Sequence, residues 1–283
     1  MAKKNKGEKE PQYYTSATNS LVLNYNVYYF SAIQRIAFSL GLWIIGGLVG
    51  LVFYGGLFSS EGKPTFATYI ADIAVFLIVG FFARKSFLPV IREFLRKRRI
   101  NKLKLQFKDF LDSLSNSLSG GMNVVDSISN AYNDLLMQYS ADAYIVKEVN
   151  EMIVGINNNI SIEDLIKDFG IRSGIQDVAN FAIVFETAYR TGGNMKDIIR
   201  RTADIISEKT IISAEIETKL TSNKTQISVM NIVPVGIVLM LRLSSTDFAE
   251  SFASPIGVIA MTIGVAIFVA SYKIGQKIMD VKG

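Results

Sequence analysis

Long apolar runs alternate with charged stretches along the chain. Ile36–Phe58 contains no charged residue, and its roughly 23 residues at about 1.5 Å each are long enough to cross a hydrocarbon core of about 30 Å. A second run, Phe66–Leu88, is interrupted by Asp72, and two shorter runs occupy Ile227–Leu243 and Ile256–Tyr272. For the shorter runs, core helices of a soluble domain are the alternative. The pattern predicts an all-α polytopic membrane protein with four transmembrane helices and a helical-hairpin bundle between the two pairs.

Lysine and arginine flank these runs unevenly. Four lysines and Arg35 precede the first run, and ten cations lie between Arg84 and Lys108, whereas the two connecting loops hold few. Because cations near a helix end resist translocation, both termini and the middle segment are predicted to be cytoplasmic. A polar, tyrosine-rich stretch separates the basic start from the first run, so no signal peptide is expected. The predicted divisions are a cytoplasmic segment 1–35, a transmembrane hairpin 36–90, a cytoplasmic domain 91–225, and a second transmembrane hairpin with a short tail, 226–283.

Three residues stand out within the apolar runs. Asp72 is expected in the outer part of the second span and Arg242 at the outer end of the third, so opposite charges lie at similar depth. One hypothesis is a buried ion pair, and the alternative is that each side chain reaches the outer interface separately. Pro234 is expected to kink the third span, because proline removes a helix hydrogen bond.

The middle segment repeats one helix-start pattern three times. Between Asn101 and Thr225 there is no proline, and apolar residues recur at helical spacing. Each repeat has a turn-forming junction, then a capping residue, then an acid three positions later. The cap accepts from free backbone N–H groups, and the acid favours the positive helix end. The predicted turn and cap residues are Gly120, Gly121, Asn123, Asp126, Ser161, Asp164, Gly192, Gly193, Asn194 and Asp197.

These signals predict a bundle of antiparallel helices. The last helix is expected to run with little interruption toward the third span, so that it would couple the domain mechanically to the membrane. The predicted helices lie near 104–119, 123–138, 141–157, 161–169 and 174–191, and from 194 onward.

A basic segment precedes the bundle. Its central cations are Arg96, Lys97, Arg98 and Arg99. Anionic lipid headgroups are the expected partner beside a bilayer, at about 1 kcal/mol per cation near the surface. No nucleic-acid motif accompanies the charge, so nucleic acid is not an expected partner.

The composition excludes most catalytic chemistry. The chain has 283 residues, 49% of them hydrophobic, with neither cysteine nor histidine. Thiolate nucleophiles, histidine bases, and thiolate and imidazole metal ligands are therefore absent. The nearest approach to a phosphate loop, at Gly55–Pro64, has the wrong glycine spacing. We expect no enzyme activity, cofactor or metal. A small polytopic transporter or channel subunit is the alternative function, although the charges lie near span ends rather than at mid-membrane.

One stretch carries a specific resemblance. FETAYRTGGNMKDIIRRTADII, from Phe185 to Ile206, closely resembles the hallmark segment of the type II secretion system F-domain family. The earlier hairpin sequences and the pairs of apolar runs resemble the TadB-like members of the tight-adherence (Tad) pilus branch. The positions that align with the family signature are Glu186, Thr191, Gly192, Gly193 and Asn194.

The resemblance implies a non-enzymatic platform in the bacterial cytoplasmic (inner) membrane. Such a platform would couple a cytoplasmic ATPase to pilin extraction and fibre assembly, in pilus assembly or type II-like secretion. Its implied partners are the ATPase, a related second platform subunit and pilins, within a homo- or hetero-oligomer. For the signature residues, a tight turn with local capping and direct partner contact both remain open.

Overall fold

The computed structural model describes residues 10–16, 18–59, 64–244 and 246–279. Helix accounts for 81% of the structure and strand for 2%, which confirms the all-α class. The chain forms two compact units. Met1–Tyr29 and Arg92–Ile212 make up one, called here the helical unit, and Phe30–Ile91 and Ser213–Gly283 make up the other, called the apolar unit.

Two short strands and nine helices make up the described part of the chain. The strands pair antiparallel, with Tyr14 opposite Val22. In chain order the elements are β1 Tyr13–Thr15, β2 Leu21–Leu23, α1 Ala32–Tyr54, α2 Phe66–Ser119, α3 Val124–Gln138, α4 Tyr144–Asn157, α5 Ile162–Ser173, α6 Gln176–Thr191, α7 Met195–Ser244, α8 Thr246–Ala253 and α9 Pro255–Met279.

The helix boundaries in the bundle follow the predicted caps, with three differences. Helix α4 begins at Tyr144, three residues after the predicted start at 141. The helix predicted at 104–119 is the last part of α2, which is unbroken from Phe66 and contains Pro89. Helix α5 continues to Ser173, four residues beyond the predicted end at 169. The extension is possible because the amino-terminal segment satisfies carbonyl groups of its last turn. Asn26 Nδ2 donates to Ile171 O at 3.1 Å, and Tyr25 N donates to Arg172 O at 2.9 Å.

Phenylalanine side chains form the centre of the helical unit. Phe107 of α2 lies with its ring centroid 5.9 Å from Phe169 of α5 and 5.6 Å from Phe181 of α6. Phe110 and Phe185 extend the cluster along α2 and α6, and all five rings are at most 2% exposed. Full burial of such a side chain contributes about 1.5–3 kcal/mol. The cluster therefore fixes α5 and α6 against the last part of α2.

Among the residues that the structure describes, two helices are long and apolar enough to cross a membrane. They are α1 and the first part of α2, where only 22% and 11% of the most apolar window is buried. Such low burial is unlike the core helix of a soluble protein. Ile232–Ser244 in α7 and Pro255–Ser271 in α9 are shorter apolar stretches. The structure thus supports two spans, and the third and fourth stay predictions.

Small residues let α1 and α2 approach closely. Gly46, Gly47 and Gly50 of α1 are buried, and a Cβ added at Gly46 would overlap the Ala83 Cβ of α2. Beside them the Trp43 ring packs edge-on against Phe76, at 5.0 Å between centroids. Close backbone approach through small residues is a common means of packing helices in lipid.

We predict that Gly46→Ala loosens this helix pair. The added methyl group overpacks the contact, which costs about 1–3 kcal/mol. Trp43 is the only tryptophan of the chain, so thermal unfolding of the detergent-solubilised protein can be followed by its fluorescence. Gly41→Ala is the matched control, because a Cβ at Gly41 meets nothing within 4 Å. Equal melting temperatures for the two variants would contradict the packing argument.

Candidate interaction site

The turn between α6 and α7 depends on its glycines. Gly192 ends α6 with φ +67°, a left-handed conformation that favours glycine. Gly193 N donates to Ala188 O at 2.8 Å, which satisfies a free carbonyl of the last turn. Thr191 Oγ1 donates to Thr187 O at 2.9 Å. The signature glycines therefore shape the turn through the backbone.

Three helices of the helical unit begin with reciprocal caps. Asn194 Oδ1 accepts from Asp197 N at 3.4 Å, and Asn194 Nδ2 donates to Asp197 Oδ2 at 2.5 Å. The turn between α2 and α3 contains Gly120 and Gly121, and Gly121 has φ +88°. Comparable cap-to-acid bonds join Asn123 to Asp126 at α3, and Ser161 to Asp164 at α5.

An open groove of about 340 Å³ lies beside this turn, and we call it the α6–α7 groove. Ile183 and Val184 on its α6 side are 63% and 45% exposed. Apolar side chains exposed beside one another are typical of surfaces that another protein covers. The groove is lined by Ile183, Val184, Thr187, Ala188, Thr191, Gly193 and Ile198.

Glu186 does not line the α6–α7 groove. Its carboxylate lies 3.3 Å from Lys167 Nζ of α5 and 3.2 Å from Arg190 of its own helix. Arg190 in turn lies 3.7 Å from Glu163. The structure therefore divides the signature residues: Thr191 and Gly193 line the groove, whereas Glu186 belongs to a charged cluster that joins α5 and α6.

A buried ion pair that the sequence analysis missed lies inside the helical unit. Arg172 of α5 donates to both carboxylate oxygens of Glu148 of α4, at 2.9 and 2.7 Å. Arg172 also binds Asp168 at 2.6 Å and Leu23 O at 3.0 Å. Burial acts to lower the pKa of Arg172, but Glu148 and Asp168 raise it above its ordinary value. The guanidinium therefore stays charged.

The amino-terminal segment completes this network. Tyr25 is 1% exposed and donates its hydroxyl to Glu148 at 3.0 Å. Its ring packs edge-on against Tyr144, with centroids 5.6 Å apart. Burial, and then the neighbouring Glu148 carboxylate, raise the pKa of Tyr25. The phenol thus keeps its proton and remains a donor.

A second contact holds the strand pair on α4. Glu151 accepts from Ser16 Oγ at 2.7 Å, from Ser20 Oγ at 2.6 Å, and from Thr18 Oγ1. Partial burial acts to raise the pKa of Glu151, but these hydroxyl donors lower it below its usual range. An ionised carboxylate therefore anchors the loop between β1 and β2.

Another charged contact joins three helices. Asp177, in the first turn of α6, lies 3.3 Å from Lys104 Nζ of α2 and 2.5 Å from Lys209 Nζ of α7. Partial burial acts to raise the pKa of Asp177, but the two lysines lower it below its ordinary value. We call this contact the Asp177 clamp.

The four cations expected to face lipid have different surroundings. Arg96 binds Glu93 at 2.9 and 2.6 Å, and the Arg99 guanidinium lies 4.4 Å from the ring centroid of Tyr28. Lys97 and Arg98 are exposed.

The charged residues expected near the outer ends of the spans bind one turn of the apolar unit. Asp72 Oδ1 accepts from Gly56 N at 2.8 Å. Arg242 donates to Gly55 O at 2.6 Å and to Phe53 O at 3.0 Å. The two side chains thus hold the end of α1 together rather than forming a direct ion pair. Pro234 lies inside α7, which continues through it to Ser244.

Comparison with known families finds one match, which includes most of the bundle helices. Residues 110–243 match the family model of type II secretion system (T2SS), protein F. The match supports that family. The F-type segment, as we call 110–243, contains the α6–α7 groove and all the signature positions. Members of this family are non-enzymatic inner-membrane platform proteins of secretion systems and pili, which generally work with secretion ATPases and partner platform subunits. No curated protein and no solved structure gives a significant match to the chain.

We predict that Arg172→Met lowers the free energy of unfolding of the helical unit, because it leaves Glu148 buried without its counter-ion. Loss of one partner of a buried pair costs about 3–5 kcal/mol. The chain has no native cysteine, so thiol labelling of Ala131→Cys, a fully buried position, reports opening. The Glu148→Gln/Arg172→Met double variant should lose less stability than the two single variants lose together.

A matched control for this prediction is Lys147→Met. It removes the exposed pair with Asp142, whose side chains are 60% and 92% exposed. Its labelling rate should equal that of the parent protein. Equal rates for Arg172→Met and Lys147→Met would show that the buried pair contributes nothing to stability.

The Asp177 clamp predicts a pH dependence. Because the folded-state pKa of Asp177 is lowered, its contribution is present above the unfolded-state value of about 3.9 and is lost as pH falls through the folded value. Asp177→Asn should therefore destabilise the helical unit at pH 7, by about 1 kcal/mol. The difference in unfolding free energy between this variant and the parent protein should vanish in acid. A difference that stays constant from pH 7 to pH 3 would contradict the clamp.

Proposed function

We propose that the protein is the TadB-like platform subunit of a Tad-type pilus or type II-like secretion machine. In this role it couples a cytoplasmic ATPase to pilin extraction and fibre assembly, beside a related second platform subunit in a homo- or hetero-oligomer. The observation that carries the proposal is that the F-type segment includes helices α3 to α6, the first part of α7 and the α6–α7 groove. It occurs in a chain that also has two exposed, apolar, span-length helices.

The proposed arrangement in the inner membrane has four spans. The exposed apolar side chains of α7 and α9, among them Ile237 at 53% and Ile259 at 62%, support a lipid environment for the two shorter stretches. Four spans put both termini in the cytoplasm, in agreement with the distribution of lysine and arginine. The F-type bundle then lies on the side where ATP is available.

Helix α7 supports a mechanical role. It begins at Met195, directly after the signature turn, and is unbroken to Ser244. Its first turns pack in the bundle through Ile199, Ala203 and Ile206, which are at most 3% exposed. A continuous helix resists bending far more than a loop does. We propose that the ATPase displaces the bundle and that α7 transmits this displacement to the apolar stretch at its end.

The α6–α7 groove is the proposed contact surface for the ATPase or the second platform subunit. A photoreactive residue at Val184, in cells that contain the whole machine, should crosslink to one of these two proteins. The control position is Met137 of α3, which is 86% exposed and lies outside the groove. Crosslinks to either protein from Val184 alone support the proposal. Equal crosslinks from both positions, or crosslinks to lipid only, would overturn it.

A further inference from the structure

The basic segment of α2 contains two classes of cation. Arg96 and Arg99 are half-buried and bind the amino-terminal segment. The guanidinium of Arg96 lies 3.5 Å from Asn26 O, and that of Arg99 lies 3.4 Å from Val27 O and over the ring of Tyr28. These contacts give both arginines a structural role inside the helical unit.

Lys97 and Arg98 face solvent instead. Both are exposed, and among the described residues neither forms a direct hydrogen bond or ion pair. The hydrogen bond from Arg96 lowers the pKa of the Glu93 carboxylate, and Lys97 adds to this effect only through its charge. Phe94 precedes them by three and four positions, so the three side chains are neighbours on one helix face. Phe94 is 63% exposed. An exposed aromatic ring beside two unpaired cations is typical of a surface that meets lipid headgroups.

The position of this face along α2 suits a bilayer interface. The second apolar run ends at Leu88, and α2 continues as one helix through the basic segment. At about 1.5 Å per residue, Phe94 lies about 9 Å beyond Leu88, and Lys97 and Arg98 lie about 14–15 Å beyond it. The headgroup layer adds roughly 5–8 Å on each side of the hydrocarbon core. The backbone of Phe94 thus lies just outside this layer. Because side chains on a helix tilt toward its amino terminus, which here is the direction of the apolar run, the phenyl ring reaches back into the interface and the longer cationic side chains reach back toward phosphate.

We infer that Phe94, Lys97 and Arg98 form a lipid-facing surface that binds anionic phospholipid headgroups, whereas Arg96 and Arg99 hold the amino-terminal segment. Positive charge on this surface complements the negative cytoplasmic leaflet. The inference rests on the membrane location in the proposed function, not on the pilus partners.

A single-tryptophan protein tests this inference. In the full chain carrying Trp43→Phe and Phe94→Trp, reconstituted in lipid nanodiscs, brominated lipids should quench the fluorescence at position 94. Brominated phosphatidylglycerol should quench more strongly than brominated phosphatidylcholine at equal content. Two further charge-matched variants separate the classes of cation. Lys97→Gln/Arg98→Gln should lose the preference for the anionic lipid, by up to about 30-fold at about 1 kcal/mol per cation.

Arg96→Gln/Arg99→Gln removes the same charge and should keep the lipid preference. It should instead expose the amino-terminal segment, which thiol labelling of Val22→Cys reports, since Val22 is 7% exposed in the parent protein. Absence of quenching at position 94 would overturn the lipid assignment and leave an acidic protein surface as the occupant. Equal loss of lipid preference in the two double variants would overturn the division of the cations. Neither result depends on crosslinking at Val184, so failure of the proposed function is distinguishable.

Discussion

The buried ion pair between Glu148 and Arg172 is the interaction on which the helical unit depends. Removing two charges from water costs several kcal/mol per ion, and only good geometry with further hydrogen bonds offsets it. Here Tyr25 donates to Glu148, while Asp168 and the carbonyl of Leu23 accept from Arg172. Both charges are therefore satisfied only when α4, α5 and the amino-terminal segment are all in place. The amino-terminal segment has no helix-forming pattern, and its contacts with this pair make it an integral part of the bundle.

This dependence separates structural charges from charges available to partners. Glu148, Arg172 and Asp177 are occupied within the helical unit, and so are Arg96 and Arg99. The α6–α7 groove and the face of Phe94, Lys97 and Arg98 are two described surfaces that stay open to other molecules. In the proposed platform role, interaction surfaces of this kind carry the function, and the close-packed aromatic cluster around Phe107 would transmit a force between them.

The apolar unit follows the same logic with different chemistry. Its helices expose many apolar side chains, whose contact with water would be unfavourable. Small residues such as Gly46 let α1 and α2 pack closely. Asp72 and Arg242 satisfy backbone groups at the end of α1. In lipid an unsatisfied backbone group costs several kcal/mol, so this use of charge stabilises the turn.

Sequence by itself determined the helical class, the two long apolar helices, and the positions of the capped turns. These are local properties: hydrophobic period, charge near helix ends, and a cap with its acid three residues later. It could not determine which charges meet, because Glu148 and Arg172 look like ordinary polar positions and Leu23 lies 149 residues from Arg172. In sequence, the four cations of the basic segment cannot be told apart; they are Arg96, Lys97, Arg98 and Arg99. Only the tertiary structure decided that two of them bind the amino-terminal segment, because that depends on where a distant part of the chain folds back.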